Sequence, residues 1–202
     1  MPKTTDSKHD LGYSPNLLKE VEIDKITRGE VIVGDITYLP LSGGKFCYLA
    51  MFQDKFTKRI VGWQVADNMR AELVIGALLM AKRRGLIGIN AIIHTDRGSQ
   101  YGAKDYRKLL KGLRQSMSAK GDCYENAQAE SFFSRIKAEL LEGGKFESVE
   151  QARTEVFSYI EGYYNRIRRH SSLRYLSPLE FERNLKESKN NRRNESFVSC
   201  FG

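Results

Sequence analysis

Cysteine is scarce in this chain and poorly placed for structural bonding. Cys47, Cys123 and Cys200 are odd in number and far apart. That excludes a disulfide framework, and no pair stands at metal-ligand spacing. Three histidines, His9, His94 and His170, do not complete such a site. No run approaches the roughly 18 apolar residues that cross a bilayer. The opening MPKTTDSKHD carries no apolar stretch of a secretory signal. Disulfide-stapled, membrane-spanning and secreted classes are therefore set aside, and the cytoplasm is the expected compartment. What is present is 202 residues at 41% hydrophobic and 29% charged, enough for one buried core with appendages.

Charge is plentiful and uneven. The net charge is +8, and residues 166–193 hold nine Lys or Arg against three Glu. A solvated helical surface has this composition, and so does a surface that meets phosphate backbones and releases their counterions. Charge alone does not separate the two.

Hydrophobic patterning predicts a mixed order of elements. Residues 1–28 are polar without a clear period and read as an N-terminal arm. β-Branched and aromatic runs at 31–40, 46–53 and 59–66 predict three strands on short connections, an antiparallel meander. Asn68 is the expected N-cap of a helix over 71–85, with Gly85 ending it. A short strand at 90–95, a helix over 103–111 and a strand at 113–118 follow. The helix over 124–141 sets Ala129, Phe132, Phe133, Ile136 and Leu140 on one face. Another starts at a capping box from Ser148 to Gln151. The chain is thus expected to hold a mixed α/β core at 29–142, a basic helical extension at 143–186 and a disordered tail at 187–202.

Three acids stand out by position. Asp35 lies within the first strand, Asp96 follows the fourth, and Glu130 lies off the apolar stripe of its helix. If the fourth strand pairs beside the first, Asp35 and Asp96 become neighbours, and Glu130 could close the site from a packed helix. Three such carboxylates need a cation between them, and hard oxygen ligands suit Mg²⁺ or Mn²⁺. Two ions about 3.5–4 Å apart clamp both oxygens of an in-line phosphoryl transfer. Each acid also has a structural reading: Asp35 as a solvent-facing strand residue, Asp96 as a turn cap, Glu130 as helix surface. Asp54, between two strands, suits a turn-forming role. Asn126, Glu130, Ser134 and Lys137 share one helix face, as a metal-binding edge or a solvated surface equally.

The stretches GDITYLP, DKFTKRIVGW, HTDRGSQY, SMSAKGDCYENAQAESFFSRIKAEL and YYNRIRRHSSLRYLSP occur in that order. Together they resemble the transposases of the insertion-sequence 3 family, whose catalytic core is similar to retroviral integrases. The likeness covers residues 11–183. It implies a ribonuclease-H-like fold: a mixed five-stranded sheet flanked by helices, with a helical C-terminal extension. It also implies a DDE triad, with Asp35, Asp96 and Glu130 as catalytic metal ligands for two Mg²⁺ (or Mn²⁺) ions. Lys137 matches a lysine that contacts the DNA end, and Asn126 joins it on that face. Arg168 and His170 belong to a C-terminal motif expected to pack or to touch DNA.

The implied reaction is metal-dependent cleavage at the ends of an insertion sequence, then attack of the freed 3′-OH on a second phosphodiester, with no covalent protein–DNA intermediate. DNA is the implied partner, with a homo-oligomer on assembled ends, in a prokaryotic cytoplasm beside the nucleoid. Two local departures stand out. The interval from Asp96 to Glu130 is slightly shorter than usual, and Glu125 replaces the usual Asp before Asn126-Ala127. Nothing in residues 1–28 resembles the family's helix-turn-helix, so an upstream-frame protein is an expected partner. The rival reading is a catalytically silent remnant that still binds DNA.

Overall fold

In the computed structural model, residues 12–118, 127–141 and 144–198 are described, with side chains through Ser188. Strands β1 (Val31–Pro40), β2 (Phe46–Asp54) and β3 (Ile60–Ala66) form the expected antiparallel meander. β1 is long because nine consecutive residues pair with β2, from Ile32 opposite Asp54 to Pro40 opposite Phe46. Helix α1 (Ala71–Arg83) then carries the chain back across the sheet. It returns to β4 (Ile92–Thr95), which pairs parallel to β1, while β5 (Arg114–Met117) pairs parallel to β4. The strand order is β3-β2-β1-β4-β5. That is the mixed five-stranded sheet expected, with the crossover placing β4 against β1.

Helices cover both faces. On one face α1 packs Leu73, Val74, Ala77 and Leu78 onto Ile32, Ile36, Phe52 and Val61. A Cβ at Gly62 would stand 2.1 Å from the Ala77 carbonyl oxygen, so glycine there permits the close approach of α1. On the other face α4 (Ala127–Leu141) and α5 (Val149–Phe157) bury Phe132, Ile136 and Val156 against Leu39, Leu49, Met51 and Val65. A π-helix (Ser158–Tyr164) adds Tyr159, Ile160 and Tyr164 to the same cluster. The last helix, α6 (Pro178–Val198), is pinned by buried Glu182, which meets Arg59 at 2.8 Å and Arg28 at 3.3 Å.

Several local expectations meet corrections. The N-cap of α1 is Arg70, not Asn68; the Asn68 side chain instead accepts the Arg70 N–H at 3.2 Å. Gly85 does end that helix, at φ +62°. The helix expected over 103–111 is present as α3 (Lys104–Leu109), and a short helix that was not expected, α2 (Ser99–Gly102), precedes it. Ser148 caps α5 by accepting the Gln151 N–H at 3.1 Å. The Gln151 side chain returns to the Glu147 N–H. The tail expected to be disordered continues as α6 to Val198. Residues 12–28 are not loose: Leu18 and Ile26 are buried against Val31 and Ile92, and the Leu17 N–H donates to Ser116 Oγ at 2.9 Å.

Candidate active site

The parallel ladder between β1 and β4 pairs Val31 with Ile92, Ile32 with Ile93 and Val33 with His94. Carrying that register two residues further sets Asp35 beside Asp96, on strands about 4.8 Å apart. Alternation fixes the face. Asp35 lies opposite Met51, and Thr37 and Leu39 lie opposite Leu49 and Cys47; Leu39, Met51, Leu49 and Cys47 belong to the cluster under α4 and α5. Both aspartates thus share one face, at the carboxyl end of β4 where the ladder stops. Crevices at such strand ends are where open α/β sheets bind ligands.

Both carboxylates are half-buried and held by the backbone. Asp35 accepts the Ile36 N–H at 2.7 Å, and Asp96 the Gly98 N–H at 3.0 Å. A Cβ on Gly98 would lie 2.7 Å from Gln100 Oε1 and 3.1 Å from Asp96 Oδ1. The glycine therefore makes room for the Asp96 carboxylate. Beside the pair lies Tyr101, fully buried, its hydroxyl without a hydrogen-bond partner among the described residues. Burial, then the charges of Asp96 and Asp35, push its ionisation well above the ordinary tyrosine value. One hydroxyl thus feels both aspartates.

Glu130 arrives by a different route. Helix α4 runs beside β1 in the same direction. At its start, Gln128 Nε2 donates to the Asp54 carbonyl at 3.2 Å, and Lys58 Nζ donates to Gln128 Oε1 at 3.0 Å. Beyond its end, the Phe146 N–H donates to the Pro40 carbonyl at 3.1 Å. Glu130, about 3 Å further along the axis than Gln128, comes level with the β1 stretch that carries Asp35, and its side chain is exposed. Among the described residues, no three His, Cys, Asp or Glu side chains stand close enough to hold a metal ion together. The β1–β4 register thus points Asp35 and Asp96 at adjacent positions, and Glu130 lies on the helix packed beside β1.

The other sequence-marked residues divide. Lys137 Nζ lies 4.1 Å from the ring centroid of Tyr38 on β1, and burial lowers its pKa. Asn126 lies outside the described residues. Arg168 is held by Glu139, Nε–Oε1 3.0 Å and Nη2–Oε1 2.9 Å, and Tyr159 donates to the same carboxylate at 2.8 Å. Burial disfavours ionised Glu139, but the Arg168 and Tyr159 hydrogen bonds outweigh it and hold the carboxyl below its ordinary value. His170 stacks edge-on against Tyr164 at 5.1 Å. Burial, then the cations Arg168, Arg135 and Lys58, push its pKa down to about 4, so the imidazole is neutral near pH 7. The motif's Asn165 is structural: its side chain clasps the backbone of edge strand β3, accepting from Ile60 N–H at 2.9 Å and donating to Ile60 C=O at 3.0 Å.

Asp54 takes the turn role expected of it, accepting the backbone N–H groups of Gly29, Phe56 and Thr57. Residues the sequence left unmarked also position the site. Gln128 and Lys58 fix the start of α4, and the buried Tyr101 hydroxyl lies within the field of the two aspartates. The Tyr101 position could have been found from its place five residues after Asp96. Nothing in the sequence marks the Gln128–Lys58 contact, because it joins segments 70 residues apart.

Comparisons with known proteins agree with the geometry. Two family models described as integrase core domain match residues 27–123 and 111–178. The transposase InsF of insertion sequence IS3A from Escherichia coli K12 is 46% identical over 178 residues, covering 86% of this chain and 60% of that protein. The transposase of insertion sequence element IS904 from Lactococcus lactis is 40% identical over 171 residues, covering 84% of this chain and 67% of that protein. Among solved structures, the HTLV-2 integrase catalytic core domain in complex with magnesium superposes with a TM-score of 0.59 at 13% identity, over 77% of this chain and 97% of that domain. That likeness concerns the fold. The chain spans about 60% of the length of the insertion sequence 3 transposases it matches.

Proposed function

From the premise that this chain belongs to the insertion sequence 3 family of transposases, with an integrase-type core, we propose that it carries out end cleavage and 3′-OH strand transfer on an insertion sequence. The observation that supports this reading is the parallel β1–β4 register, which, carried two residues further, would set Asp35 beside Asp96 on one face of the sheet. Glu130 is assigned as the third acid. The relatives are named as transposases, and a solved structural neighbour was determined with magnesium.

The donor set fits hard divalent cations: two adjacent carboxylates offer oxygen ligands, with space for water and phosphate oxygens. Asp35 and Asp96 would hold Mg²⁺ (or Mn²⁺) ions, with Glu130 completing the set. Bound there, the ions lower the pKa of the attacking water or 3′-OH and offset the charge that builds on the phosphodiester oxygens. The chain's own residues orient the rest. The backbone N–H groups of Ile36 and Gly98 hold the two carboxylates in place. Lys137 lies on the same helix as Glu130, two turns on, and is assigned to the phosphate of the DNA end. No side-chain nucleophile is required, because water and then the freed 3′-OH attack directly.

The partners proposed are DNA ends and target DNA, a homo-oligomer on the assembled ends, and a helix-turn-helix protein from the upstream frame that reads the ends. The proposed setting is the prokaryotic cytoplasm at the nucleoid. No helix among the described residues is long and apolar enough to cross a membrane.

The test is strand transfer of pre-cleaved element ends in Mg²⁺ and in Mn²⁺, comparing wild type with Glu130→Ala. Joined product from wild type and none from the variant is the expected result. If both proteins bind the ends and neither joins them, the rival reading of a silent DNA-binding remnant stands instead.

A further inference from the structure

Beside the start of α4 lies a cavity of about 520 Å³ that takes no part in the chemistry above. One wall is α4, through Ser131 and Arg135, on turns adjacent to Glu130. The others are the Lys58 turn and the hairpin that follows the π-helix. Its rim is cationic: Lys58, Arg135, Arg168 and Arg169 all line it, and among the described residues no acidic side chain does. Glu139 engages Arg168 alone among them. Burial first, and then this positive field, holds the His170 imidazole neutral. Such a rim suits a phosphate group.

The floor suits something else. Gln53 Nε2 donates to the Lys58 carbonyl at 2.7 Å and to Tyr164 Oη at 2.8 Å, which fixes the orientation of its amide. Gln53 Oε1 and His170 Nε2 are then buried with no hydrogen-bond partner among the described residues. Buried polar atoms left unsatisfied cost free energy, so such atoms in a cavity point to an absent partner. Gln53 Oε1 can only accept, and a phosphodiester has no proton to donate. A nucleobase does, through its exocyclic amine or ring N–H.

The third element is aromatic. Tyr175 lines the cavity with 70% of its surface exposed. It sits in a two-residue left-handed turn, Arg174 at φ +57° and Tyr175 at φ +61°, a conformation costly for residues with side chains. Hydrogen bonds from Tyr175 N–H to His170 C=O (2.9 Å) and from His170 N–H to Leu176 C=O (3.1 Å) hold the turn. The backbone thus keeps an aromatic face in the open beside a basic, acceptor-floored cavity.

We propose that this cavity binds one unpaired nucleotide of the DNA, its phosphate on Lys58, Arg135 and Arg169, its base edge on Gln53 and His170, and its base face on Tyr175. A base within a duplex is stacked on both faces and paired along its edge, so the site selects a strand that has left the helix. It rests on the DNA reading above and adds to it a preference for a frayed or overhanging end next to the reacting carboxylates.

The test uses the full chain and fluorescence anisotropy with labelled short duplexes, either blunt or carrying a short single-stranded overhang, and an abasic version of the overhang. The overhang is expected to tighten binding by about 10-fold. Tyr175→Ala and the abasic overhang each erase that gain, and Tyr175→Phe keeps it. The Arg135→Ala/Arg169→Ala pair flattens the salt dependence of overhang binding by about two units of slope. Thermal melting of each variant confirms that it is folded. A wild-type protein that binds blunt and overhanging duplexes equally, or a gain that survives Tyr175→Ala, overturns the proposal while leaving strand transfer intact. Failure to bind any duplex overturns the DNA reading with it.

Discussion

The sheet half and the helix half of the candidate site are held by different kinds of interaction. Asp35 and Asp96 ride on adjacent strands whose register is set by consecutive backbone hydrogen bonds, and shifting either by one residue would turn it to the other face. Glu130 and Lys137 ride on α4. Its apolar face is buried by Phe132 and Ile136, and polar contacts at Gln128 mark its start. Backbone ladders are cooperative and leave little freedom, whereas a helix on an apolar face can slide or rotate slightly at small cost. The ladder runs up to the positions of the two aspartates, whereas no backbone ladder holds Glu130 on its helix. A site built this way has a rigid half and an adjustable half.

The sharpest way to separate the halves is to remove charge from the rigid one. Asp35→Asn and Asp96→Asn should each lower strand transfer by on the order of 10³-fold. The melting temperature should not fall, because each change relieves repulsion between neighbouring carboxylates. A large loss of melting temperature would show that the pair is structural. The adjustable half calls for a subtler change. Gln128→Ala removes both polar contacts at the start of α4 and should slow joining by about 10- to 100-fold through misplacement of Glu130. Single-turnover rates would show this, with DNA affinity unchanged; an unaltered rate would mean that α4 is positioned by its apolar face alone.

Stability should be just as lopsided. Gly62→Ala drives a methyl into the Ala77 carbonyl and should cost about 3 kcal/mol in urea unfolding. Ser134→Ala, on the exposed face of α4, should stay within about 0.5 kcal/mol. Similar costs at both positions would erase the contrast. The smallest effect concerns pH. His170 titrates near 6.5 when exposed and near 4 in the fold, so the unfolded chain binds more protons between those values. Stability is full above pH 6.5 and falls as pH drops towards 4, with no further loss from this group below it. Melting curves across that window should show the slope in wild type and lose part of it in His170→Gln.

Much of this was legible before any coordinates. β-Branched runs marked β1 to β3, and the apolar spacing of Ala129, Phe132, Phe133 and Ile136 marked the buried face of α4. Those signals survive because they repeat over many residues. Single-residue features did worse. Asn68 has the chemistry of an N-cap, yet Arg70 takes that position and the Asn68 side chain accepts the Arg70 N–H, although the helix begins at Ala71 as expected. The polar stretch before β1 hid Leu18 and Ile26, too few and too irregular to show a period, though both are buried. The tail was expected to be disordered on composition, yet its helix runs on from Pro178, behind buried Glu182 paired with Arg59.

By itself the sequence determined the element types, the three acids worth watching and the family, through motifs in fixed order. Those properties are local or are carried by patterns within one segment. Tertiary structure decided that the strand of Asp35 pairs with the strand that leads to Asp96, and that Arg168 is engaged by Glu139. It also brought Gln53, Lys58, Arg135 and Tyr175 around one cavity from three distant segments. The reason is geometric: pairing partners, strand register and the seat of a helix on a sheet depend on contacts between residues far apart in the chain, and no local pattern records which ones meet.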